Sequence, residues 1–98
     1  MRPVSKITSY VDIREYVSPA AFTSAMNFLA WHNRLKMTAM LEPWKALVVA
    51  QACEARPLNP LEYNTVKAFC AEVPSACPQS IEHVRELSAR LEAALGRQ

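Results

Sequence analysis

The residues able to do chemistry are few: His32 and His83, the single aspartate Asp12, and the cysteines Cys53, Cys70 and Cys77. Catalysis needs a base, a nucleophile or a metal held within reach of one another, and no spacing among these six residues supplies such a set. The cysteines include no Cys-x-x-Cys pair, so Cys70, Cys77 and His83 offer only three candidate ligands at spacings foreign to a structural zinc site. A phosphate-cradling loop is missing too, because Gly96 is the only glycine. Each histidine reads as a helix-surface or cap residue, and we expect no enzyme, no cofactor and no metal. The odd number of cysteines fits free thiols in a reducing compartment. Cys70 reads as a small packing residue, since nothing cationic is spaced to lower its pKa. A Cys70–Cys77 bridge, the other option, would close only a short loop around Pro74.

With chemistry so sparse, the elements themselves carry the information. A composition of 51% hydrophobic and 20% charged residues over 98 residues is that of one folded domain, residues 1–98. Seven prolines against one glycine argue for helices punctuated by proline, because tight hairpins need glycine or Asn-Gly at positive φ. The predicted fold is all-α, a small four- to five-helix bundle.

The stretch from Ser18 to Leu41 predicts a long helix over about 19–41, with Ser18 as N-cap, Pro19 at the first helical position and Pro43 beyond its end. At roughly 100° per residue it carries two apolar stripes. One holds Phe22, Met26, Leu29, Met37 and Met40, the other Phe28, Trp31, Leu35 and Ala39 with Ala21, and Thr23, Asn27, Arg34 and Thr38 fill a narrow polar wedge. An outer helix of a small domain normally has one such stripe. Either this long helix is central and is wrapped by neighbours on both sides within the bundle, or the second stripe meets another chain; on the latter reading, which we favour, Phe28, Trp31, Leu35, Phe22, Met26, Met37 and Met40 are the candidate partner-binding residues, with Trp31 as anchor.

Pro43 also starts the next helix, about 44–55, whose circumference is almost entirely apolar and which should lie at the centre of the fold. Asn59, Pro60 and Glu62 form a start signal for a helix over about 60–73, with Tyr63, Val66, Phe69, Cys70 and Val73 on its inner face. Ser80 caps a last helix, about 80–95, that ends at Gly96. There Ile81, Val84, Ser88, Leu91 and Leu95 recur at alternate spacings of three and four, widened by Leu87 and Ala94, and Glu86 and Arg90 are placed to pair on the wet side. Residues 1–17 form a short helix or an arm. Ser9 and Asp12 suit a cap, while Val4, Ile7, Val11, Ile13 and Val17 would also suit a strand.

Charge narrows the partners. Residues 1–50 hold six Lys/Arg and three Asp/Glu, and residues 51–98 hold five and six, with no basic run in either half. The electrostatic footprint of a nucleic-acid binder is therefore missing. A helix-turn-helix also fails on content, since Trp44–Ala55 offers base edges only Lys45 and Gln51. The longest apolar run, Ala46–Ala50, is far short of the roughly 20 residues needed to cross a membrane. Charges interrupt Met1–Val17 before any signal-peptide core forms, which predicts a cytoplasmic protein. The functional expectation is a small protein-binding regulator with no catalysis of its own that sequesters or inhibits a partner such as a transcription factor or an enzyme and forms a homodimer. The alternative is a DNA-binding transcriptional regulator of helical type.

Overall fold

A computed structural model describes Ile7 and residues 9–34, 42–54, 56–73 and 80–96, with the backbone only at 31–34 and Pro60. Among these residues the chain forms a 3-10 helix (Tyr10–Glu15), α1 (Pro19–Arg34), α2 (Pro43–Ala52), a 3-10 turn (Pro60–Glu62), α3 (Tyr63–Glu72) and α4 (Ile81–Ala94), and no strand. The fold is all-α.

The centre is α2. Trp44, Ala46, Leu47, Val48, Val49, Ala50 and Ala52 are all buried, so a ten-residue helix has almost no free side. Such a helix must be wrapped. Its broadest contact is with α4, and α1 and the N-terminal 3-10 helix cover other sides. Alanines at 46, 50 and 52 leave no accessible surface, which lets neighbouring backbones come close. Each fully buried Leu or Val in this layer contributes about 1.5–3 kcal/mol.

Local signals explain the helix ends. The Ala21 N–H donates to Ser18 Oγ at 3.1 Å, the N-cap expected at α1. The Glu54 carboxylate completes this cap from a distance, accepting from the Ser18 hydroxyl at 2.6 Å and the Ser18 N–H at 3.2 Å. A negative group there also complements the helix dipole. This tie brings the end of α2 to the start of α1. The predicted helix over 44–55 stops at Ala52, as the Cys53 N–H turns to the Ala50 carbonyl and the Glu54 N–H to the Gln51 carbonyl. Pro57 thus lies beyond a helix that has already ended.

The start signal at 59–62 forms as expected. Asn59 Oδ1 accepts from the Leu61 N–H, and Glu62 Oε1 accepts from the Asn59 N–H. The first turn is nevertheless 3-10, with α3 proper beginning at Tyr63. At the far end Val73 is extended, with φ −70° and ψ 130°, because the following proline disfavours helical geometry. In α4 the His83 N–H donates to Ser80 Oγ at 3.3 Å, and Gly96 closes the helix at φ 78°, its N–H bonded to the Ala93 carbonyl. From Tyr10 to Glu15 the N-terminal ambiguity resolves as helix, while residues 1–6 and 8 lie outside the described residues: the Asp12 carboxylate accepts from the Ser9 N–H and caps the 3-10 helix, whose Ile13 is fully buried.

Two details of α4 differ from expectation. Ala94 is exposed rather than part of the buried stripe. Arg90 forms no ion pair with Glu86 and places its guanidinium 5.9 Å from the centre of the Phe69 ring. A planar cation over an aromatic face competes with a surface ion pair that is worth only a few tenths of a kcal/mol. Ser88 stays in the stripe as a buried hydroxyl, 3.0 Å from the Val48 carbonyl oxygen and 3.2 Å from Gln51 Oε1. It ties α4 to α2 at one register.

Close packing around α2 predicts the outcome of two substitutions. Ala50→Leu should lower stability by about 1–3 kcal/mol through overpacking, and Ser88→Ala by about 1 kcal/mol through loss of its hydrogen bond. Urea unfolding followed by far-UV circular dichroism measures both. An Ala50→Leu variant as stable as the parent would show that α2 is less tightly wrapped than its burial implies.

Candidate functional site

Three of the seven candidate residues have described side chains, and they divide between the two stripes of α1. The buried face of this helix is Ala21, Ala25, Phe28 and Leu29. Phe28 is 6% exposed and its ring lies 6.2 Å from that of Tyr63, tilted by 42°. So little free surface places Phe28 in the core of its own chain and leaves it nothing to offer a partner. Both stripes contribute to that core, since Leu29 belongs to the other one. The Trp31 side chain and residues Leu35, Met37 and Met40 lie outside the described residues, as do Cys77, Ala39 and Leu41.

Phe22 and Met26, one helical turn apart, are half-buried at the rim of α1 and pack against the core from its edge. The Arg14 guanidinium sits 5.8 Å from the centre of the Phe22 ring. Arg14 is exposed and follows Val11 by three residues, and in a 3-10 helix of three residues per turn such positions eclipse. Val11 is 64% exposed. The 3-10 helix packs on α1, and the Arg14–Phe22 contact joins its exposed side, which carries Val11, to the rim that holds Phe22 and Met26; two of the four side chains are exposed and two half-buried. Val11 was not legible as a surface residue, because its β-branched neighbours Ile7 and Ile13 are buried and only the 3-10 register turns it outward.

A second apolar feature belongs to α3 and the turn before it. Leu61 in the 3-10 turn before α3 is 93% exposed. Close by in sequence, Asn64, Thr65, Ala68 and Phe69 of α3 meet Ala94 of α4 around an open groove of about 350 Å³. Leu61 is a single side chain, whereas the patch on α1 combines aromatic, thioether and arginine groups, the types that carry most interface energy.

The remaining chemistry is quiet. Cys53 and Cys70 are both buried, and Cys70 carries a free thiol. Burial pushes the Cys70 thiol up to about 11, against the opposing pull of the Lys45 cation. Lys45 lies nearby because its ammonium donates to the Cys70 carbonyl at 3.1 Å, capping the C-terminal end of α3 from α2. Sequence spacing did not reveal this cation, yet desolvation outweighs it and the thiol stays protonated at neutral pH. Among the described residues no group of three His, Cys, Asp or Glu could hold a metal ion, and no helix is long and apolar enough to cross a membrane. Buried almost all round, α2 has no free face to lay in a DNA groove.

Comparison with protein-family models, curated proteins and solved structures finds no match.

The position of Cys70 sets a pH dependence. Burial raises its folded-state value above the ordinary 9.0, so the fold holds this proton more tightly than the unfolded chain does. Its contribution to stability is complete below pH 9 and is lost as the pH rises towards 11. Chemical unfolding across this window should show the parent losing more stability than Cys70→Ala. Parallel curves for the two proteins would refute the assignment.

Proposed function

We propose that this chain is a small regulator that acts by binding another protein, sequestering or inhibiting it without catalysis of its own. It works in the cytoplasm and forms a homodimer. The observation that supports this most is the patch of Val11, Arg14, Phe22 and Met26, which leaves apolar and aromatic surface at the edge of an otherwise closed core. Such a surface suits a partner helix. Phe22 presents a large ring at low cost in side-chain entropy, Met26 adapts to the shape of what it meets, and Arg14 can pair with a carboxylate at the margin while stacked on Phe22. Residues 35–41 continue the chain from α1 and hold Leu35, Met37 and Met40, three further candidates for the same role.

Val11 is the residue with which to test the patch, because its exposure separates binding from folding. Val11→Asp should change stability by no more than about 0.5 kcal/mol and weaken self-association or partner binding about tenfold or more. Sedimentation equilibrium measures the first association, and titration of a partner recovered with the parent protein measures the second. A parent that stays monomeric, with partner binding unchanged in Val11→Asp, would remove this patch from consideration.

A further inference from the structure

Away from that patch, a polar cavity of about 300 Å³ opens between α2, α4 and the residue that follows the N-terminal 3-10 helix. Its walls come from three distant parts of the chain: Tyr16, then Gln51 and Glu54, then Arg85, Ser88 and Glu92. Positions 85, 88 and 92 share one face of α4, and at a rise of 1.5 Å per residue the first and last stand about 10 Å apart along the axis. A long guanidinium arm and a carboxylate arm can therefore converge on a small molecule seated over Ser88.

Several wall groups are left with bonding capacity. Gln51 directs Oε1 to the Ser88 hydroxyl, which leaves its amide N–H donors without a partner among the described residues. Glu54 uses Oε1 for Ser18 and keeps its second oxygen. Arg85 and Glu92 form no ion pair among the described residues. The Tyr16 hydroxyl has no hydrogen-bond partner among the described residues but is closed off from solvent, so the ring lines the cavity without offering that group to a ligand.

The charges select the ligand class. A simple anion would meet Arg85 and also two carboxylates, and a simple cation would meet the carboxylates and also a guanidinium. A molecule that carries both charges satisfies both walls. We propose that this cavity binds a free α-amino acid, its carboxylate held by the Arg85 fork and the Gln51 amide and its ammonium by Glu92 and Glu54. Bidentate guanidinium–carboxylate pairing is the strongest contact available to such a ligand.

The test titrates the full chain, labelled with nitrogen-15, with the common α-amino acids one at a time and with acetate and methylamine as single-charge probes. At least one amino acid should shift the backbone amides of Gln51, Arg85, Ser88 and Glu92 saturably, with Kd of about 1 mM or tighter, and neither single-charge probe should saturate. Arg85→Gln at an exposed position and Glu92→Gln at a half-buried one should each weaken that binding about tenfold with an unchanged circular dichroism spectrum and thermal midpoint. The proposal is overturned if no amino acid saturates, if acetate or methylamine binds as well as the amino acid does, or if both variants bind like the parent.

Discussion

A helix with no polar side cannot be left in water, and α2 imposes that constraint on every other element. Seven of its side chains are buried, so its neighbours must enclose it rather than flank it. α4 supplies the widest contact, α1 and the N-terminal 3-10 helix close other sides, and the tilted rings of Phe28 and Tyr63 link α1 to α3. Ten residues cannot form a stable helix alone in water. Here α2 persists because its surroundings remove its apolar surface from solvent.

Burial is non-directional, and what selects one arrangement is a small set of polar contacts at the edges of α2. The Trp44 indole donates to Glu42 at 2.7 Å, fixing the corner at Pro43. Lys45 reaches the last turn of α3, Ser88 reaches the Val48 carbonyl, and Glu54 reaches the cap of α1. Each links residues at least 25 positions apart in sequence. Together they hold three helices at defined registers around a layer whose valines and alanines would otherwise tolerate sliding.

The same division separates the interior from the surfaces available for function. Lysine, glutamate and serine near α2 are engaged in holding the fold, whereas the apolar and aromatic groups at the rim of α1 are only partly covered. Among the described residues the outward-facing features include an edge patch and an open polar cavity, and both are built from side chains brought together by packing.

Much of this architecture was legible in the sequence, because its signals act within a few residues. Proline at 19 and 43 opens helices and the proline after Val73 ends one, Ser18, Asn59 and Ser80 satisfy N–H groups two or three residues on, and an apolar face repeats at the helical period whether or not its neighbours are known. Those rules defined the helices and the inner faces of α3 and α4, and they marked α2 as central. They could not decide which stripe of α1 turns inward, since Phe22 and Phe28 are equally apolar and only the position of α2 and α3 distinguishes them. Nor could they place Lys45 beside Cys70, Glu54 at Ser18, or Arg85 across from Gln51, because those pairs are joined by no local periodicity. The sequence determined which stretches are helical and where they start, through short-range sterics, capping and hydrophobic period; tertiary structure alone decided which surfaces remain, because exposure depends on what packs against a residue and not on the residue itself.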